Sequence, residues 1–255
     1  MKTFVINLAR ATDRRVHMAR QFEALGATEV EFFEAVDGRA LDLDNAPLYD
    51  RQKRLDLYGI DLTPGEIGCY LSHYQVLRRI QNEGLERALV LEDDVVLHPR
   101  TFDVAERVAG LPQDYEFIRF GGAREPAHLS LGPVMDGFEL RRLLNVTSEM
   151  SGYAVSRAGA ARLLACGAEM VRQIDVTVDR YWESGLPIYA LHPYPVNPAA
   201  FDSTIGDRVD VWKLPGMAHW RKKTKRLKRA ESIGKRVANL KIRAAHLLAP
   251  RRPFA

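Results

Sequence analysis

Cysteine is scarce: Cys69 and Cys166 are the only two in 255 residues. Their number and spacing give no disulfide framework and no paired-cysteine zinc site. They read as two buried thiols in a reducing cytoplasm. Long apolar runs are missing too. No stretch reaches the ~18 residues of a membrane-spanning helix. The apolar N-terminal run is too short for a secretory leader, and Asn7 and Arg10 interrupt it. There is no internal repeat and no low-complexity segment. What remains is an ordinary globular composition, 46% hydrophobic and 27% charged. The chain is long enough to bury a sizeable core in one large domain with at most a small appendage.

Charge is unevenly spread. The net charge is +4, yet from Arg221 onward thirteen Lys/Arg face a single acid, Glu231, so this tail carries +12 and residues 1–220 carry −8. A mildly acidic body with a basic tail differs from a uniformly basic protein, and no specific nucleic-acid partner is expected.

Residues 3–8 have strand character. Helical apolar spacing follows over 13–25, with Gly26 as its stop, and 30–36 read as a second strand ended by the turn pair Asp37-Gly38. This β-α-β opening predicts an α/β domain with parallel strands. Residues 41–61 read as a surface excursion. Thr63-Pro64-Gly65-Glu66 then opens a helix to about Gly84, with Thr63 as cap and Glu66 completing a capping box. Further strands are expected at 88–91, 115–120, 139–146, 152–155 and 187–191. Helices are expected from a Ser156 cap through Cys166 and over 175–184, and loops over 124–138 and 193–216.

Ala88-Leu89-Val90-Leu91 ends abruptly in Glu92-Asp93-Asp94. Three adjacent carboxylates repel one another, and burying one unpaired is costly. The C-terminal end of a buried strand is where open α/β sheets bind ligands. A hard divalent cation, magnesium or manganese, would neutralise such a cluster and takes carboxylate and phosphate oxygens. Strand alternation puts Glu92 and Asp94 on one side as the metal-facing pair and leaves Asp93 to reach sugar or ribose hydroxyls. The other reading is a solvated turn after a core strand. In the helix from Pro64, Glu66, Tyr70, His73 and Leu77 share one face, bordered by Cys69 and Ser72. Either that face meets a ligand, or His73 is a satisfied core histidine and Glu66 only caps.

Taken together, several segments resemble glycosyltransferase family 25, the bacterial lipooligosaccharide galactosyltransferases and their collagen-modifying relatives. They are Val5-Ile6-Asn7-Leu8 with Asp13-Arg14-Arg15, Phe33-Glu34-Ala35-Val36-Asp37-Gly38, Leu62-Thr63-Pro64-Gly65-Glu66-Ile67-Gly68-Cys69 with Leu71-Ser72-His73, Leu89-Val90-Leu91-Glu92-Asp93-Asp94, Gly152-Tyr153-Ala154-Val155-Ser156 with Gly159-Ala160, and Val178-Asp179. They cover roughly residues 1–205. The resemblance implies a GT-A fold, a Rossmann-like α/β sandwich, over a domain 1–216, with the tail 217–255 outside the shared segments. It implies a UDP-sugar donor, commonly UDP-galactose or UDP-glucose, transfer with inversion to a saccharide or glycolipid acceptor in surface-glycan (lipopolysaccharide) synthesis, and Mn2+ or Mg2+ at Glu92 and Asp94. It would put Asn7, Arg10 and Arg14 near the nucleotide, and Asp37, Glu66, Ser72 and His73 around the donor.

An inverting displacement needs a base for the acceptor hydroxyl. Asp179 is the first candidate and Asp175 the second. They are four residues apart and share a helix face, and two close carboxylates can raise one pKa into a useful range. Alternatively, Asp175 caps the helix and Asp179 pairs with Arg180 or another surface cation. Tyr181 and Trp182 offer flat faces to a sugar or fill the core, and Asp202-Ser203-Thr204 is a loop that could close over the donor. In the tail, Leu227, Ala230, Ile233, Val237, Leu240, Ala244 and Leu247 recur at intervals of three and four among Lys and Arg, with Gly234 as an interruption. This is a basic amphipathic pattern suited to an anionic membrane surface, or to packing on the body. A cytoplasmic enzyme, peripheral on the inner face of the membrane, is the expected setting. Two other readings compete. A nucleotidyltransferase would carry a Gly-rich loop with a Lys where Asn7-Leu8-Ala9-Arg10 stands. A non-catalytic binding relative would have little reason to keep the acidic triplet.

Overall fold

The computed structural model describes residues 1–111, 114–122, 124–145, 148–201 and 218–248. Ten strands run β1 Thr3–Asn7, β2 Val30–Glu34, β3 Arg87–Glu92, β4 Val95–Leu97, β5 Phe117–Arg119, β6 His128–Met135, β7 Phe138–Leu143, β8 Gly152–Ser156, β9 Ile188–His192 and β10 Val196–Pro198. The α-helices are α1 Thr12–Ala24, α2 Arg51–Tyr58, α3 Pro64–Asn82, α4 Thr101–Ala109, α5 Arg157–Cys166, α6 Ile174–Val178, α7 Tyr181–Ser184 and α8 Ala218–Leu248.

Eight strands form one mixed sheet of order β2-β1-β3-β8-β5-β9-β7-β6, and β4 pairs with β10 in a separate ribbon. The expected β-α-β opening is present: β1 is flanked in parallel by β2 and β3. Period-two alternation splits the apolar strand residues between two cores. Phe4, Ile6, Ala88, Val90, Tyr153 and Val155 point to the side covered by α3 and α5–α8. Val5, Leu89, Leu91 and Ala154 point to the side covered by α1 and α4. The result is a three-layer α/β sandwich with a Rossmann-like start, and the basic helix α8 packs on the first of these cores through Ala238 and Ile242. The chain leaves β1 toward β2 and later returns to place β3 on the other side of β1. That reversal opens a crevice at the C-terminal ends of β1 and β3.

The capping box at α3 is formed in full: Thr63 accepts from Glu66 N–H and the Glu66 carboxylate accepts from Thr63 N–H. Other elements depart from the sequence reading. The 41–61 excursion holds α2, capped by Asp50 and stopped at Gly59 with φ +71°. Within 124–138 lies β6, an edge strand whose Gly132 and Pro133 sit at register shifts, the place where a sheet tolerates them. The expected 175–184 helix is two short ones, broken at Asp179 and Arg180, whose side chains are buried in ion pairs. Gly234 does not interrupt α8. A Cβ there would come 3.2 Å from Trp182, so the glycine lets the helix approach the body. Cys69 is half-buried and Cys166 exposed, so the reading of two buried thiols does not hold for Cys166. The boundary between body and tail, and the loop Asp202-Ser203-Thr204, lie outside the described residues.

Candidate functional site

A cleft of about 340 Å³ opens at the crevice between β1 and β3. Its lining takes Arg10 from the β1–α1 connection, Arg14 from the first turn of α1, Asp37 and Gly38 from the turn after β2, Ser72 and His73 from α3, and Glu92, Asp93 and Asp94 from the end of β3. Eight of the residues singled out in the sequence therefore meet here. Two glycines make this possible. A Cβ on Gly38 would fall 1.6 Å from the Pro64 carbonyl oxygen, and one on Gly68 would fall 2.6 Å from that of Val36. The turn after β2 thus lies directly on the first turns of α3.

The three carboxylates do not divide as strand alternation suggests. The strand ends at Glu92, and the bend after it turns Asp93 and Asp94 onto the same guanidinium. Arg14 Nη1 donates to Asp93 at 2.9 Å and to Asp94 at 3.0 Å. Asn7 does not line the cleft. Its Nδ2 holds the buried Asp93 from behind at 2.7 Å, while also donating to the Ala11 carbonyl. Phe201, which sequence reasoning passed over, lies 5.3 Å from the Arg14 guanidinium and fixes it from the far side. Ser72 spends its hydroxyl on backbone, donating to Gly68 O at 2.7 Å and accepting from Val36 N–H at 2.9 Å. It shapes the cleft wall. Asp37 pairs with Arg10 and accepts from Arg39 N–H.

Glu92 faces the other way, toward α3. Its Oε1 lies 3.3 Å from His73 Nε2, and His73 Nδ1 lies 3.1 Å from the Tyr153 hydroxyl. Cys69, one turn before His73, completes a group whose ligand atoms all fall within 4.8 Å of one another. The Cys69–His73 spacing of four was the sequence signal for this grouping. Burial, then the Glu92 charge, holds the Cys69 thiol well above its ordinary value, which keeps it neutral. The carboxylate oxygens of Glu92 and Asp94 are donors of the hard type that magnesium or manganese takes, but the group the structure brings together joins Glu92 to Cys69 and His73 while Asp94 turns onto Arg14. Burial, reinforced by the Glu92 charge and opposed by Arg14, pushes the Asp94 carboxyl up to about 6. One arginine against three carboxylates leaves the negative charge under-compensated, which is the electrostatic condition a divalent cation relieves.

A second, smaller cleft of about 140 Å³ adjoins the first and shares Cys69 and Glu92 with it. Glu66, Glu149, Gln173 and Asp175 also line it. Glu66 therefore belongs to this cleft and not to the first, and it is tied by its cap and by Gln173 Nε2 at 2.9 Å. Asp175 lies at the start of α6, its Oδ1 accepting from Val176 N–H. Asp179 lines neither cleft. It is 3% exposed, and its oxygens are taken by Arg119 Nη2 at 2.5 Å and by Ser148 N–H at 2.7 Å. Asp179 is paired, but with the buried Arg119 and not with Arg180 or a surface cation, and nothing in the sequence pointed to Arg119. Because Ser148 lines the second cleft at φ +51°, Asp179 shapes that cleft from beneath. Tyr181 and Trp182 face α8 and the core: Tyr181 bonds Leu144 O and Asn239, and Trp182 lies under Gly234.

Comparison with known proteins adds a family. Residues 1–131 match the family model described as glycosyltransferase family 25 (LPS biosynthesis protein). A "Glycosyltransferase 25 family member" of Anopheles gambiae is 33% identical over 174 residues, which is 63% of this chain and 28% of that protein. "Procollagen galactosyltransferase 2" of Mus musculus is 32% identical over 203 residues, 74% of this chain and 30% of that protein. "Probable inactive glycosyltransferase 25 family member 3" of Bos taurus is 32% identical over 179 residues, 64% and 28% respectively. The chain spans less than a third of the length of each of these relatives.

Proposed function

This chain belongs to glycosyltransferase family 25, and on that premise we propose that it transfers a hexose, galactose in the first instance, from a UDP-sugar to a hydroxyl of a saccharide or glycolipid acceptor. The setting we propose is surface-glycan synthesis on the cytoplasmic side of a membrane. The family description and the galactosyltransferase named among its relatives support the class of reaction. The observation that carries the reading is the pair of joined clefts: one lined by arginines and a carboxylate triplet at the C-terminal ends of β1 and β3, the other by carboxylates, with Glu92 and Cys69 between them.

In this reading the nucleotide diphosphate lies in the first cleft, against Arg10 and Arg14, through charge-assisted hydrogen bonds. Asp93, locked by Asn7 and Arg14, holds that arginine in place. Glu92 and Asp94 would hold a Mg2+ or Mn2+ ion, and such an ion would supply Lewis-acid stabilisation of the departing diphosphate. The acceptor enters the second cleft. Asp175 takes the proton from its hydroxyl, the oxygen bonds to the anomeric carbon from the face opposite the phosphate, and UDP leaves with the electron pair of the broken bond. Asp179, committed to Arg119, is not available for that proton.

Titration calorimetry of a panel of UDP-sugars, with Mn2+ and with chelator, tests this reading. One UDP-hexose binding tightly with Mn2+ and weakly without it is the expected result; equal indifference to every UDP-sugar overturns it. The cattle relative named as probably inactive gives a second reading some ground: a saccharide- or partner-binding protein of the same fold. It predicts binding with no UDP release.

A further inference from the structure

Helix α8 is 31 residues long, about 46 Å at 1.5 Å per residue. It is docked on the body along one face. Trp220 lies on Gly59, where a Cβ would come within 2.3 Å of its ring. Glu231 pairs with Arg180 at 2.7 Å, Asn239 donates to Leu144 O at 2.7 Å, and Ala238 and Ile242 join the core. At ~100° per residue these side chains fall on one side of the helix.

The opposite side carries Ile233, Val237, Leu240, Leu247 and Leu248, between 48% and 85% exposed. Among the described residues only two other large apolar side chains, Val16 and Val96, are counted as exposed. Exposed apolar surface is therefore concentrated on the outer face of α8, as a file at steps of four, three and seven residues. Apart from the half-buried Leu227, the apolar periodicity read from the sequence is exposed, and a different set of residues does the docking. Exposed cations flank it, with Arg229, Arg236 and Arg243 along one edge and Lys241 on the other, and Lys225 and Arg226 toward the N-terminal end. The one acid of the helix, Glu231, is turned inward onto Arg180.

We propose that this outer face docks on an anionic lipid bilayer, with the leucine file entering the acyl boundary and the guanidinium and ammonium groups lying among the headgroups. No helix of the described residues is long and apolar enough to cross a membrane, so α8 lies on the surface. A two-fold pairing of α8 with a second copy would bring the same arginine rows together, whereas an anionic bilayer complements both the file and its edges. Docking is independent of the transfer chemistry and is read without a donor.

The test is co-sedimentation of the full chain with phosphatidylglycerol-containing and pure phosphatidylcholine vesicles, at low and high salt. Two variants are compared with it: Leu240→Asp with Leu247→Asp, and Arg229→Glu with Arg236→Glu and Arg243→Glu. None of these residues touches either cleft, so far-UV circular dichroism and UDP-sugar binding should match the parent. The expected result is binding to anionic vesicles only, weakened by salt, and lowered about 100-fold or more in the arginine variant and about 10-fold or more in the leucine variant. Absence of binding to anionic vesicles by the parent, or binding by both variants equal to the parent's, overturns the proposal. So does a dimer of the full chain in light scattering that the leucine variant dissociates, because the face would then be covered by a second copy.

Discussion

Asp94 is the residue on which the proposed chemistry turns; burial and the charge of Glu92 push its carboxyl up to about 6 from the ordinary 3.8. A cation binding there must displace the proton. Mn2+ affinity, measured by calorimetry across this range, should therefore be level well above pH 6 and fall as the pH drops through about 6; affinity unchanged across that range would remove Asp94 from the ligand set. The linkage to folding has the opposite sign. A carboxyl whose folded value is raised holds its proton more tightly in the native state, so without metal its contribution to stability is fully present below 3.8 and is lost progressively as the pH rises from there through about 6. The two aspartates near α6 separate by their surroundings. Asp179→Ala leaves Arg119 buried and unpaired and should destabilise the protein by about 3–5 kcal/mol, read in urea unfolding. Asp175→Ala should change stability by about 1 kcal/mol or less while lowering transfer about 100-fold or more. A stable Asp179→Ala protein with abolished transfer would reverse their roles.

At the scale of elements, the site depends on how closely the turn after β2 lies on α3. Gly68→Ala puts a methyl 2.6 Å from Val36 O; it should destabilise the protein by about 1–3 kcal/mol and weaken donor binding, since Val36 and Gly38 line the same cleft. Thr63→Ala removes half of the capping box and should cost about 1 kcal/mol in thermal unfolding; no change would mean that the helix start is held by tertiary contacts alone. These elements were legible because their signals are local: Thr63-Pro64-Gly65-Glu66 names a helix start, Gly26 a stop, and Ser156 a cap that is formed at Gly159 N–H. Most of the first cleft was legible for a related reason, since its residues follow strand ends and helix starts in the sequence. What was not legible depends on long-range contact. The edge position of β6 excuses its Gly132 and Pro133, the Arg119–Asp179 pair joins β5 to the end of α6 across sixty positions, and Phe201 reaches Arg14 from the far end of the body. The outward turn of the apolar file of α8 depends on which of its two faces the body takes, and sequence periodicity alone does not choose between them.

At the scale of the whole molecule, residues 1–220 carry −8 and residues 221–255 carry +12, and helix α8 of that basic stretch packs on the body that holds the clefts. The chain corresponds to less than a third of its animal relatives, so its activity has to be measured on this chain itself. In the proposed function, the first cleft activates a sugar nucleotide through the carboxylates at the end of β3. The most direct measurement is the rate of UDP release from UDP-galactose with Mn2+, for the parent protein and Asp94→Ala at matched folding. Release that requires the metal and falls about 100-fold or more in Asp94→Ala is the predicted result. Release that is equal in the two proteins, or that persists unchanged in chelator, would contradict the account.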